Sequence, residues 1–398
     1  MAHTPPPFTL PLELFYHVFE WLWNEPYTLQ AISISCKSFS PLARKLLFHH
    51  IDLTDNMTTK FTRLLEANPS ISACVEILAV CDLRRHLRDA LGTRPCISFQ
   101  RFTHVRRLVL RGLAVRHVDA ITTILAVLPS LKHLEISQVD EMRQPFVDSE
   151  YVGLVSPSVD VQIEDGSQER IPLDKRRPFP RLTSLTVKYS DIDHPRLVNN
   201  IVRCFDLSSI QCLELSLPTN IAYWIPVLRE AHSSLCMFYA YFRDGPLPPD
   251  AGDNASEHAG CDSLVSLTLT FPPSPVDLQC QSLDALSSFL ARSLSPLPSL
   301  THLMIITHLD ANAVEHHGRS CERVARALVA HKAQRYPRLA KLTFATNQLR
   351  SPNNGDVEDM VARWRGLLAH SVRDDDGFKL EVTSKPIGPK FGPGMLLF

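Results

Sequence analysis

The sequence predicts an α/β protein in two parts: a short helical amino-terminal unit, then a curved solenoid with parallel strands on its concave face and helices on its convex face. Three observations carry that expectation. Near the amino terminus Leu14, Val18 and Leu22 recur every four residues with Phe15 and Phe19 beside them, the spacing of one helix face. Further on, a proline-headed phrase is repeated: Leu128-Pro129-Ser130-Leu131-Lys132-His133-Leu134-Glu135-Ile136 is echoed by Phe179-Pro180-Arg181-Leu182-Thr183-Ser184-Leu185-Thr186-Val187. Between such phrases the apolar residues return to helical spacing.

A chain of 398 residues, 44% hydrophobic and 21% charged, is long enough to bury a sizeable core. Lys and Arg total 41 against 42 Asp and Glu, a net charge of −1. No basic excess therefore invites nucleic acid or an anionic membrane, and neither is expected as a partner. Gly is only 14 of 398, below the usual share of about 7%, which disfavours sites built on glycine-rich phosphate loops. The ten Cys are scattered without a C-x-x-C pair in a chain too long to need disulfide staples, so a reducing compartment, cytoplasm or nucleus, is expected. Met1 to Thr9 carries three prolines and no Lys or Arg, unlike a secretory signal, and no apolar run is long enough to span a bilayer. The N-x-[ST] matches at Asn56 and Asn254 are then coincidental.

Residues 1–9 are expected to be a flexible terminus and residues 10–52 a helical unit. The first helix runs from Leu10 to Leu22: Pro11 sits in the first turn, where a missing N–H costs nothing, and Glu13 meets the positive end of the helix dipole. A second covers Leu29 to Cys36. A third starts at Ser40-Pro41 and carries Leu42, Ala43, Leu46 and Leu47 at helical spacing. Such a small unit buries little area and needs a partner or a docked neighbour.

Residues 53–384 carry the repeats. Two further proline-marked copies are Leu297-Pro298-Ser299-Leu300, leading to Leu303 and Ile305, and Tyr336-Pro337-Arg338-Leu339, leading to Leu342 and Phe344. The proline stops a helix, and the alternation that follows is that of a short strand. Weaker copies start at Val75, Val105, Ile210, Leu235 and Leu264. Most intervals lie near a repeat period of about 20 to 29 residues or modestly above it. No unit can bury its own strand and helix faces, so neighbours must stack and the ends must be capped. Asp52 to Pro69 is suited to one end, and Val357 to His370 with Phe378 to Val382 to the other. Residues 140–178 and 243–262, mixed in charge or rich in Pro and Gly, are expected to be inserted surface loops, and 385–398 a frayed tail.

Taken in order, Leu10-Pro11-Leu12-Glu13-Leu14, Val18-Phe19, Leu22, Leu29, Ser35-Cys36-Lys37-Ser38-Phe39, Leu42-Ala43-Arg44 and Leu47-Phe48 resemble an F-box over residues 10 to about 51. The array beyond resembles degenerate leucine-rich repeats of the fungal-type F-box-like family. The link from Trp23 to Thr28 is about two residues longer than the commonest form, Phe39 stands where Trp is frequent, and no regular Asn or Cys follows each strand. The resemblance implies the substrate-recognition subunit of a Skp/cullin/F-box ubiquitin ligase. It implies that Leu10, Pro11, Leu14, Val18, Phe19, Leu22, Leu29 and Phe39 meet the Skp-type adaptor, some of them only by holding the helices together. Through the adaptor comes a cullin, and the repeats hold a target protein.

Chemistry is not advertised. P-loop, G-x-S-x-G, H-E-x-x-H and G-x-G-x-x-G motifs are all missing, so neither an enzyme nor a cofactor is expected. His308, His316, His317 and Cys321 are zinc-binding types at no zinc spacing, and no metal is expected there. Cys74, Cys204, Cys212 and Cys236 lie among apolar residues and read as small core fillers. Arginines crowd residues 84 to 116, a place where a phosphorylated or acidic peptide would dock if they converged. Strand alternation sends the residues two and four past each strand start to the concave side. Val109, Thr268 and Thr343 are among the residues expected on that side, and Arg107, His133, Glu135, Glu214, Tyr239, His302 and Lys341 are expected to contact the target. A ligase-independent interaction scaffold and a hydrolase with a cryptic Cys/His site are the competing readings.

Overall fold

The computed structural model describes residues 12–23, 25–81, 99–112, 124–125, 127–137, 180–188, 195–217, 224–242, 261–271, 276–292, 296–308, 314–346, 354–369, 377 and 379–383. The chain opens with three helices, α1 (Leu12–Trp21), α2 (Pro26–Ser35) and α3 (Ser40–Leu47). Proline occupies the first turn of both α2 and α3, where the donor it lacks has no partner to lose. Phe19, Leu29 and Ala43 are buried at their centre, and Phe39 is wedged against Phe15 and Phe19 with ring centroids 4.5 and 5.8 Å apart.

Eleven strands then form one open sheet in which every neighbouring pair is parallel and spatial order equals chain order. They are β1 (His50–Leu53), β2 (Ile77–Val80), β3 (Arg107–Arg111), β4 (His133–Ser137), β5 (Ser184–Lys188) and β6 (Cys212–Leu217), then β7 (Met237–Phe242), β8 (Ser266–Thr270), β9 (His302–Thr307), β10 (Lys341–Thr346) and β11 (Lys379–Thr383). Each of the nine repeat phrases yields a strand that begins two residues after its first apolar residue. That residue sits in the turn instead, fully buried, and Leu131, Leu300 and Leu339 each donate a backbone N–H to the carbonyl three residues earlier. β1 and β11 add a strand at each end. The expected boundary between residues 52 and 53 falls inside β1, so the helical unit passes directly into the sheet.

Parallel register aligns the repeats side by side. Leu78, Leu108, Leu134, Leu185, Leu213, Phe238, Leu267, Leu303 and Leu342 are consecutive partners on the buried face, followed by Val80, Leu110, Ile136, Val187 and Leu215 one step along. One core continues from unit to unit, which explains why a single strand and helix would not fold alone. The turns are tied in the same manner. The Arg106 carbonyl accepts from Lys132 and His133 N–H, Lys132 from Thr183 and Ser184, and Ala340 accepts from Lys379. A serine just before the turn residue adds a hydroxyl bond to the previous unit: Ser130 to Thr103 O at 2.7 Å, Ser234 to Ile210 O at 2.8 Å and Ser209 to Leu182 O at 3.4 Å. These hydroxyls supply donors to turn carbonyls that lie outside the strand ladder.

Further α-helices are α4 (Asp55–Ala67), α5 (Pro195–Cys204), α6 (Ile225–Ala231), α7 (Val276–Arg292), α8 (Val314–Arg335) and α9 (Asn354–Ala369). α7 and α8 begin well ahead of Leu283 to Leu294 and Val324 to Tyr336, the stretches whose apolar residues keep helical spacing. Their first turns bury small and polar residues, Gln279, Cys280 and Ser282 on one, His317, Gly318, Ser320 and Cys321 on the other. Space is short there: a Cβ on Gly318 would lie 2.8 Å from Leu367 Cδ1 on α9. The inserted segments 140–178 and 243–260 and the tail 385–398 lie outside the described residues. No helix among the described residues is long and apolar enough to cross a membrane.

Candidate protein-interaction surfaces

Two adjacent apolar stripes run along α1. Phe15, Phe19 and Leu22 turn toward α2 and α3, while Leu14, Val18 and Trp21, about 100° away by helical geometry, turn to solvent with 48%, 55% and 88% of their surface exposed. Tyr27 and Ile34 on α2 are exposed as well. Of the residues expected to meet an adaptor, Leu14 and Val18 are accessible, Leu22 and Phe39 are half-buried, and Leu10 and Pro11 lie outside the described residues. Phe19 and Leu29 are buried at 3% and 1% exposure. They build the unit instead of offering a contact, because a core this small has few other side chains to fill it. Trp21 was not among the expected residues, although it completes the i, i+4, i+7 series from Leu14.

The second surface is the sheet face away from the leucine ladder. Its side chains form rows across the strands. One row runs Arg107, His133, Ser184, Cys212, Met237, Ser266, His302, Lys341, Lys379, and the next Val109, Glu135, Thr186, Glu214, Tyr239, Thr268, Met304, Thr343, Glu381. The structure brings the expected target residues onto this one face but does not leave them equally accessible. His302 is exposed; Arg107 and Lys341 keep about a third of their side chains exposed. His133, Glu135 and Tyr239 are half-buried, and Glu214 is buried, as are Val109, Thr268 and Thr343. With strands about 4.8 Å apart, the flanking side chains of the second row cover one another.

Carboxylates on this face are paired with bases. Arg107 bonds Glu135 at 2.9 Å, Lys188 reaches Glu214 at 3.1 Å, and Lys341 pairs with Glu381. Thr186 also donates to Glu214 at 3.4 Å. The Lys341 bond holds the Glu381 carboxyl below the usual carboxylate range. Burial, then Arg107 and Lys132, push His133 below the ordinary histidine value, so it is neutral on this face at physiological pH.

Between α3 and the turns that enter β2 and β3, Glu76 collects Lys45 at 3.9 Å, His49 at 3.7 Å and Arg106 at 3.9 Å, and Trp23 packs edge-on against His49 at 5.0 Å. Arg106 and Arg107 of the arginine-rich stretch thus answer to carboxylates of this chain. Arg84, Arg85, Arg88, Arg94 and Arg116 lie outside the described residues.

The metal candidate does not assemble: among the described residues no three His, Cys, Asp or Glu side chains converge. His316 is exposed, whereas His317 and Cys321 are buried one turn apart on α8, with His317 Nε2 3.0 Å from Thr307 Oγ1. Burial pushes the Cys321 thiol up, and Cys212 to about 11, leaving both as thiols at neutral pH. Cys204 is buried as expected; Cys74, Cys212 and Cys236 are only half-buried. No protein-family model matches the chain, and no curated protein matches it.

Proposed function

We infer that the protein is the substrate-recognition subunit of a Skp/cullin/F-box ubiquitin ligase, working in the cytoplasm or nucleus. The observation that carries this is the outward stripe of Leu14, Val18 and Trp21 on a helix whose own core is already filled by Phe19, Leu29 and Ala43. A monomer gains nothing from a second apolar stripe beside a completed core, and such a stripe marks a surface that a partner covers. The F-box resemblance over residues 10 to about 51 assigns that partner as a Skp-type adaptor. The sequential parallel array, read as a leucine-rich repeat solenoid, offers its paired-charge face to a target protein.

In this reading the chain forms and breaks no bonds. Holding the target raises the local concentration of its lysines near a ubiquitin-charged enzyme recruited through the cullin. The test is co-purification of the full chain with a Skp-type adaptor and a cullin, beside a Leu14→Glu/Val18→Glu variant. Wild type is expected to bring both and the variant neither. An adaptor without a cullin would favour the scaffold reading, and no adaptor at all would overturn the proposal.

A further inference from the structure

The sheet face divides by chemistry. Its outward positions on β7, β8 and β9 are Met237, Tyr239, Tyr241, Ser266, Thr268, Thr270, His302, Met304 and Ile306, with no Asp, Glu, Lys or Arg among them. Met237, Tyr239 and Met304 are half-buried, and the Tyr239 hydroxyl donates to the Met237 sulfur at 3.7 Å. A Met and Tyr platform is polarizable and amphipathic, suited to a large uncharged side chain.

Immediately beside it the balance changes. His302, Lys341 and Lys379 are consecutive partners in one row, and the only carboxylate facing them from the neighbouring row of described residues is Glu381. Among the described residues, these rows set two ammonium groups against one carboxylate here. Lys379 is exposed at the end strand. Elsewhere on the face, Glu135 and Glu214 have Arg107 and Lys188 as partners.

We propose that the target docks here through an extended segment that sets one aromatic or large aliphatic side chain on Tyr239 and Met304 and one Asp or Glu carboxylate against Lys341 and Lys379. The inference rests on the target-binding role given to this face above. Strands lie about 4.8 Å apart, so two to three strand steps separate the centre of the platform from the lysines, roughly 10–14 Å. An extended peptide covers that span in about three or four residues at about 3.3 Å each. The recognised element is therefore an apolar anchor and an acid three or four positions apart. The uncharged platform would strip water from any ionised anchor without returning a partner, which excludes Lys, Arg, Asp and Glu from the anchor position.

The test pans a phage library of random heptapeptides on the full chain co-produced with a Skp-type adaptor. Enriched peptides are expected to carry that pair at that spacing. A selected peptide should bind about thirtyfold more weakly to Tyr239→Ala, the size of a central hot-spot loss, and up to about fivefold more weakly to Lys379→Ala, the size of an exposed ion pair. Lys379→Glu, at an exposed position, should turn the preference from acid to base. Failure to enrich, enrichment of basic peptides, or binding indifferent to Lys379→Glu would overturn the inference. So would a phosphoserine replacement of the acid that binds ten times more tightly than the carboxylate. Adaptor retention is read in the same preparations: peptides lost with adaptor kept sinks this inference alone, and adaptor lost with peptides kept sinks the ligase reading alone.

Discussion

Val18→Glu separates a docking stripe from a structural one. Val18 and Leu14 keep roughly half their surface exposed, so a partner that covers them recovers about half the 1.5–3 kcal/mol of a full Val or Leu burial, about 1 kcal/mol each. A glutamate trapped under the same cover would leave a carboxylate without a donor, costing about 1–3 kcal/mol more. The sum, about 2–4 kcal/mol, corresponds to adaptor affinity weakened roughly 30- to 1,000-fold. Stability of the free chain should change by no more than about 0.5 kcal/mol, since an exposed position away from caps and core is being changed. Titration calorimetry against purified adaptor, with melting curves of both proteins, measures the two quantities. Binding within threefold of wild type at an unchanged melting curve would refute the docking role. A melting curve that collapses would show that Val18 is packed against this chain after all.

Phe19→Ala should act in the opposite sense. Loss of a buried Phe costs about 3–5 kcal/mol, comparable to the whole stability of so small a unit. Because Phe19, Leu29 and Ala43 form a core separate from that of the sheet, hydrogen exchange should show α1–α3 losing protection while β2–β10 keep theirs. His317 should make the fold acid-sensitive. Burial lowers its pKa from 6.5 to about 4, so above pH 6.5 both states are neutral and nothing is lost, whereas between pH 6.5 and 4 only the unfolded chain takes up the proton. Stability is expected to fall through that window by about 3 kcal/mol, and urea titrations of His317→Gln should lack this component. Lys188→Ala leaves the buried Glu214 carboxylate, among the described residues, with the Thr186 hydroxyl. A loss of about 2 kcal/mol is expected, largely restored in Lys188→Ala/Glu214→Gln, and denaturant melts of the four-member cycle check it.

Much of the fold was legible because stacking repeats the same local problem. Leu131, Leu182, Leu300 and Leu339 stand at the same point of each proline-marked phrase, and the strand follows two residues later every time. The early turns of α7 and α8 were not legible: Gly318, Ser320 and Cys321 are buried for lack of space between helices, and small residues leave no apolar periodicity to detect. The serine bonds between turns were missed for a related reason. Ser130 and Ser234 look like ordinary turn residues, and their partners, Thr103 and Ile210, belong to the preceding repeat unit.

The candidate surfaces split in the same way. Alternation along a strand put Arg107, Glu135 and Glu214 on one face from the sequence, since covalent geometry sends successive side chains to opposite sides. Only the assembled sheet decided that Glu214 is covered by its lateral neighbours while His302 stays open. Helical spacing likewise revealed that α1 is apolar on a broad arc. Which part of that arc faces outward depends on where α2 and α3 lie, and Phe39 against Phe15 and Phe19 settles it. Periodicity is a property of the chain's own bonds and can be read residue by residue, but exposure is what remains after distant residues have packed, and packing exists only in three dimensions.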